Sequence, residues 1–409
     1  MAPTPGAEVP VGSGRTPPPP AAVVVRPGRE ERLRAGHLWV YRTEIARIEG
    51  GPEDGDAVAV RMASGRHLGM GLLNTRSVIT VRLLTGDDRP LDDAFFADRL
   101  NHAVALRARL AVPSTACRLV YSEGDGLPGL IVDRYGDVLV IQTLTLGMDR
   151  QKELLAGLLD AIVHPRGIYA RNDPAVRRLE GLPRETGWIR GGGPTEVEIE
   201  EGRCRFLVDI AAGQKTGFFL DQRENRVRAA ELAGGARVLD GFAYTGAWGI
   251  QAAAHGAVSV TGMEISGGAV TMAERNAARN GCSDRCRWLR ENAFDGLRRL
   301  AAAGPAFDLV ILDPPAFVKT RAALAAGLAG YKEINLRALK VLGPDGWLVT
   351  CSCSYHVSEA HLVAIVNEAA RDARRHIRIV ESRSQARDHP VHPAMPELRY
   401  LKCLIVAVE

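Results

Sequence analysis

A few short clusters in this sequence hold residue types suited to chemistry. Thr350-Cys351-Ser352-Cys353-Ser354 carries two thiols, and Asp313-Pro314-Pro315-Ala316-Phe317 carries an acid on a stiff turn. Asp240 to Gly246 (DGFAYTG) places an acid before glycines, while Glu264 and Asn292 each stand where a strand is expected to end. A thiolate is a nucleophile that can form a covalent intermediate. Added to C6 of a pyrimidine, it makes C5 enamine-like and able to take a methyl group from a sulfonium donor such as S-adenosylmethionine. Loss of the C5 proton then expels the cysteine. An acid such as Asp313, near the ring N3 and the exocyclic amine, would stabilise the adduct. A buried, inert thiol is the other reading of either cysteine.

The proline pair stiffens the backbone and removes two amide donors. Asp313, Pro314, Pro315 and Phe317 therefore read as a platform that hydrogen-bonds and stacks a flipped-out base. In DGFAYTG, Asp240 ends a buried strand. Gly241, Ala243, Tyr244, Thr245 and Gly246 then form the turn, whose glycines bring backbone close to a ligand before a helix begins. The glycines are not spaced as GxGxxG, which argues against a dinucleotide pyrophosphate. Glu264 can accept both ribose hydroxyls at the end of the next strand, and Asn292 can contact an adenine at the end of a third. Any one of these also reads as a turn or helix cap; the ordered set reads as a nucleoside-cofactor site. Cys351 and Cys353 are expected to point to opposite faces, one to the pocket and one to the sheet packing. The seven cysteines are scattered, odd in number and without a CxxC pair, so neither a disulfide framework nor a metal site is expected.

From Ala229 onward strands alternate with helices, the pattern of a parallel sheet covered on both faces. ARVLDGF, SVTGMEIS, FDLVILDPP and DGWLVTCSCS are the strands, and every residue singled out above falls at the carboxyl end of one, where such sheets bind ligands. The segment EVEIEEGRCRFLVDI reads as one strand opening a domain over 196–409. Residues 87–195 read as an α+β middle domain, with helices over Leu91 to Leu110 and around Asp149 to Val163. Residues 21–86 read as a small β-barrel with more arginines than acids, either an RNA-binding module or a purely structural one. The Pro-rich 1–20 segment reads as a disordered tail, with no basic start or apolar stretch of the secretory kind.

The 409 residues exceed what one core usually serves. An apolar fraction of 46% and a charged fraction of 24% are those of a globular protein, and no apolar run is long enough to span a bilayer. A cytoplasmic protein with no membrane partner is expected. Net charge is +4, with arginine far exceeding lysine, which suits phosphate contacts but also follows from a coding bias.

GQKTGFFLDQRENR, DGFAYTGAWG, DPPAF, GYKEINLRAL, TCSCS and DHPVHPAMPELRYLK occur in one order. Together they resemble the RlmI-like family of bacterial 23S rRNA cytosine-5 methyltransferases, over nearly the whole chain beyond the tail. The resemblance implies an α/β fold: a PUA-like RNA-binding barrel, the middle domain and a Rossmann-like methyltransferase domain. It implies S-adenosylmethionine as cofactor and ribosomal RNA, free or in a large-subunit assembly intermediate, as partner. Cys353 matches the family's nucleophile and Cys351 falls at a packing position. Asp313 matches the DPP aspartate, and Asp240, Glu264 and Asn292 match cofactor positions, Asn292 standing where Asp is often found. Ala316 replaces a Lys seen in some members. Phe219 and Arg223, in KTGFFLDQR, are expected to line the cofactor pocket. Rival readings are an N-methyltransferase acting on an exocyclic amine, a nucleotide-dependent dehydrogenase, and an inactive RNA-binding assembly factor. The oligomeric state is not legible in the sequence, a homodimer being one option.

Overall fold

A computed structural model describes residues 21–409, so the expected tail over 1–20 lies outside the described residues. The chain divides into two units, one reaching to Leu91 and the other running from Asp92 to Glu409. In the first, β1 (Ala22–Val25), a one-turn helix α1 (Glu31–Arg34), β2 (Trp39–Tyr41), β3 (Ile45–Glu49), β4 (Ala57–Met62), β5 (His67–Leu73) and β6 (Ile79–Thr85) follow one another. The strands form one sheet in the order β2-β6-β5-β4-β1-β3, in which only the β1–β4 pair is parallel. Alternate residues such as Val23 and Val25, or Val58 and Val60, enter its core. The short strands β2 and β3 have too few apolar alternations to be read from sequence.

The second unit opens with α2 (Asp93–Leu110), capped by Asp92, whose side chain accepts the Phe95 amide. There follow β7 (Ala116–Tyr121), β8 (Leu130–Tyr135), β9 (Val138–Thr143), α3 (Leu146–Arg150), α4 (Lys152–Val163), β10 (Gly167–Asn172) and β11 (Glu185–Gly191). These strands make a five-stranded sheet in the order β11-β10-β9-β8-β7. The single strand expected over EVEIEEGRCRFLVDI is instead a hairpin of β12 (Glu196–Glu201) and β13 (Cys204–Asp209). Gly202, at φ +58°, takes the left-handed conformation that reverses the chain, a turn the alternation of apolar residues does not reveal.

The rest alternates: α5 (Arg223–Ala230), β14 (Arg237–Asp240), α6 (Ala247–Ala254), β15 (Ser259–Glu264), α7 (Gly267–Arg279), β16 (Cys286–Arg290), α8 (Ala293–Ala303), β17 (Phe307–Leu312), α9 (Leu324–Val341), β18 (Leu342–Ser352), α10 (Glu359–Ala373), β19 (Ile377–Arg383) and β20 (Lys402–Val408). The seven-stranded sheet runs β16-β15-β14-β17-β18-β20-β19, and β20 is antiparallel to both of its neighbours. Strand order reverses between β14 and β17, so a crevice opens at their carboxyl ends.

The period of two along these strands divides two cores. Val238, Leu309, Ile311, Val349, Cys351, Cys403 and Ile405 pack into one, with α6, α7, the hairpin and residues of the five-stranded sheet. Leu239, Val310, Leu312, Leu348, Leu404 and Val406 pack into the other, under α8, α9 and α10. The expected α/β fold with helices on both faces is therefore present. Among the described residues no helix is long and apolar enough to cross a membrane.

At the sheet edge Gly262 faces Trp288 across the β15–β16 pair, and a Cβ on Gly262 would lie 2.2 Å from the indole. Gly262→Ala is expected to lower stability by about 1–3 kcal/mol through overpacking, read by urea denaturation.

Candidate active site

A cavity of about 320 Å³ lies at the carboxyl ends of β14, β15, β17 and β18. Gly241, Ala243 and Tyr244 of the turn after β14 line it, together with Glu264 and Asn292. Asp313, Pro314, Pro315, Phe317 and Cys353 line it too, as does Phe219. The sequence thus brings most of its marked residues to one wall.

Others fall elsewhere. Asp240 is fully buried beneath the turn, where its Oδ2 accepts the Gly249 amide at 3.1 Å. Thr245 is buried off the wall, and its carbonyl accepts the Asn276 amide group. Gly246, at φ +83°, is needed for packing: a Cβ there would meet Trp288 at 2.8 Å. Arg223 does not line the pocket as expected. Its guanidinium turns into the interior, to Asp388 Oδ2 at 2.7 Å and the Ala116 carbonyl, because a buried cation needs anionic or carbonyl acceptors and these lie on that side.

Glu264 is tied to the loops on either side of it. Its Oε2 accepts the Tyr244 amide at 3.0 Å and its Oε1 the Ser266 amide at 2.8 Å. Tyr244, at φ +47°, is held in place by this bond and by the Gln214 amide, which donates to its hydroxyl at 2.8 Å. Its ring meets Phe219 edge to face at 5.4 Å. Asn292 caps α8 through Oδ1, which accepts the Phe294 amide and leaves the side-chain NH₂ as a donor. Phe317 packs on Tyr331 at 4.6 Å and Phe294 at 5.6 Å, an aromatic cluster behind the proline pair.

Asp313 is the most constrained polar group. Its Oδ1 accepts Gln222 Nε2 at 2.8 Å and its Oδ2 accepts Trp248 Nε1 at 3.0 Å. Burial pushes this carboxyl upward, and the indole and amide donors pull it back. Sequence reading missed both donors. Trp248 is by far the largest residue in GAWGIQAAAHG, a helix otherwise rich in Gly and Ala, and that anomaly was the available signal.

Cys353 is half-buried, with Sγ 3.9 Å from the Pro314 carbonyl. Burial pushes its thiol up to about 11, with Asp313 adding to the shift and Lys215 opposing it. Cys351 is fully buried and sits opposite Cys403 in the β18–β20 pair. Two residues at i and i+2 of a continuous strand share a face. These two diverge because β18 ends at Ser352 and Cys353 lies beyond it. Among the described residues no cluster of His, Cys, Asp or Glu could hold a metal.

A family model for S-adenosylmethionine-dependent methyltransferases matches residues 171–405, and a PUA-like domain model matches 23–86. The chain belongs to this methyltransferase family. It is 42% identical over 384 residues to a protein of Aeromonas salmonicida named ribosomal RNA large subunit methyltransferase I, covering 93% of this chain and 97% of that one. A protein of the same name from Aeromonas hydrophila is 42% identical over 94% of this chain and 99% of its own length. Among solved structures, SMU.776 complexed with SAH superposes with a TM-score of 0.82 at 18% identity, covering 94% of this chain and 99% of that one. A SAM-dependent methyltransferase from Streptococcus mutans gives 0.80 at 19% identity, over 94% of this chain and 99% of its own. These likenesses establish the Rossmann-like fold and its PUA-like companion. The methyltransferase uses S-adenosylmethionine.

Asp240 gives this cofactor fold a pH-dependent weak point. Burial pushes its carboxyl up to about 7, opposed by the Gly249 amide and reinforced by Asp313. Its folded value thus exceeds the unfolded one, so the cost of ionising it is absent below about pH 4 and fully present above about pH 7. Asp240→Asn is expected to remove a loss on the order of 3 kcal/mol between those limits. Urea titrations of both proteins at pH 5 and 8 check this: an equal pH slope in the two would count against the assignment.

Proposed function

We propose that this methyltransferase forms 5-methylcytosine in 23S ribosomal RNA through a covalent adduct of Cys353 with the base. The observation carrying this reading is that Cys353 and Asp313 face one cavity with Glu264 and the Tyr244 turn. The names of the relatives support a large-subunit RNA substrate.

The cavity walls fit the cofactor. Glu264 retains lone pairs on both oxygens for ribose hydroxyls, Asn292 retains an NH₂ for the adenine, and Gly241, Ala243, Tyr244 and Phe219 supply backbone and apolar surface. Asp240, Thr245 and Gly246 shape the turn from behind. S-adenosylmethionine supplies an electrophilic sulfonium methyl group.

The protein's own residues act on the base. The Cys353 thiolate forms an S–C6 bond and displaces the C5–C6 π electrons onto C5, which becomes nucleophilic. Asp313 accepts a hydrogen bond from the exocyclic amine or a protonated N3, its orientation fixed by Gln222 and Trp248. Pro314, Pro315 and Phe317 form the surface against which the flipped base rests. Once C5 carries the methyl group, loss of the C5 proton restores the double bond and returns the electron pair of the S–C6 bond to sulfur. The PUA-like module over 21–86, the middle segment over 87–195 and the catalytic segment over 196–409 are assigned RNA binding, connection and catalysis. The setting is cytoplasmic, where ribosomal RNA is made available.

Cys353→Ser is expected to lower methyl transfer to unmodified 23S RNA by at least about 10³-fold while cofactor binding persists. Tritiated S-adenosylmethionine reports the rate, and bisulfite sequencing of the product RNA reports the atom. Full activity in the serine variant would falsify the adduct; methylation without a bisulfite-resistant cytosine would assign the chemistry to an exocyclic amine.

A further inference from the structure

Lys402 begins β20 directly opposite Ser352, and its side chain is buried. Its Nζ donates to two backbone carbonyls, those of Ser354 and Tyr400, each at 2.7 Å. Among the described residues no carboxylate pairs with it. A buried ammonium among neutral acceptors is costly, and lysines in such positions are usually paired. When Cys353 ionises, its thiolate is the charge that favours the Lys402 ammonium.

The loop that Lys402 grips carries Cys353. It is held from the other side by Tyr331, whose hydroxyl bonds Ser352 Oγ and Ser354 Oγ, both at 3.0 Å. Ser354 Oγ also accepts the Val318 amide at 3.1 Å, which ties the loop to the segment after the proline pair. Cys353 therefore sits between two anchored serines, with a lysine bound to the carbonyl that follows it.

We propose that Lys402 is a positioning residue for Cys353: it fixes the Ser354 carbonyl and supplies the positive charge that accompanies the thiolate. This rests on the reading of Cys353 as the nucleophile. Most of the other groups around the thiol do not supply that charge. Asp313, after β17, and Asp221, before α5, oppose ionisation. Lys215 favours it, but its Nζ is already bound to Asp221 Oδ2 at 2.6 Å. Tyr331 on α9 is a neutral hydroxyl at neutral pH. Burial pushes the Lys402 amine down to about 8 and the Cys353 thiol up to about 11, so at neutral pH the ammonium is present beside a protonated thiol and favours whatever thiolate forms.

The test uses the full chain without RNA. Iodoacetamide alkylation of Cys353 is followed by peptide mass spectrometry between pH 6 and 10.5 in wild type, Lys402→Met, Lys402→Gln and Lys402→Arg. Calorimetric binding of S-adenosylmethionine establishes that each variant is folded. In Met and Gln the alkylation rate at pH 7, where the wild-type lysine carries its charge, is expected to fall about tenfold, and the difference from wild type to shrink by pH 10, where that amine is neutral; Arg stays near wild type at pH 7. An unchanged rate at pH 7 in a cofactor-binding Met or Gln variant overturns the proposal. If Met does not fold, Gln, which can still donate to the Ser354 carbonyl, decides. Because alkylation needs no methyl transfer, the failure of this pairing and the failure of the adduct mechanism are read separately.

Discussion

Two carboxyl groups, Asp240 and Asp313, lie near one another at the ends of β14 and β17, where the parallel sheet changes direction, and among the described residues neither forms an ion pair. Their mutual repulsion and burial are met mainly by hydrogen-bond donors. The Gly249 amide serves Asp240, while Gln222 and Trp248 serve Asp313. Gly249 and Trp248 are neighbours on α6, so one turn of helix serves both acids. This fixes where α6 begins, and hence the path of the Asp240–Gly246 turn. It also makes the small residues there obligatory, since a Cβ on Gly249 would lie 2.7 Å from Val260.

From that arrangement the site follows. Asp313 is rigid because its donors come from segments far apart in the chain, and the proline pair carries this rigidity to the Pro314 carbonyl beside Cys353. On the far side, Tyr331 and Lys402 restrain the cysteine loop. The thiol is thus positioned from both sides but left protonated at rest, an arrangement that limits adventitious alkylation and oxidation while keeping the sulfur in place.

Much of this was legible because the strand-to-helix rhythm of the second half is strong and its polar residues fall at strand ends. Gly241, Ala243 and Tyr244 of the turn, Glu264, Asn292 and the proline pair were placed on one cavity by that logic, while the choice of Cys353 over Cys351 came from the resemblance. Other features depended on contacts between distant segments. Arg223 reads like a pocket residue until the Asp388 carboxylate, far along the chain, draws it inward. The difference between Cys351 and Cys353 depends on β18 ending at Ser352, and no local propensity marks that end. The hairpin over 196–209 was hidden because its left-handed turn is a single glycine within an alternating run.

The position of β20 has a consequence for the order of assembly. It comes after nineteen other strands among the described residues yet lies inside the sheet, hydrogen-bonded along both edges to β18 and β19. During synthesis from the amino end, the unit reaching to Leu91 can close early, since all its strands are then present. The seven-stranded sheet beneath the crevice cannot be complete until residues 402–408 have left the ribosomal tunnel and paired with β18 and β19. The PUA-like module therefore precedes its methyltransferase partner in time, and the seven-stranded sheet is complete only once β20 has paired.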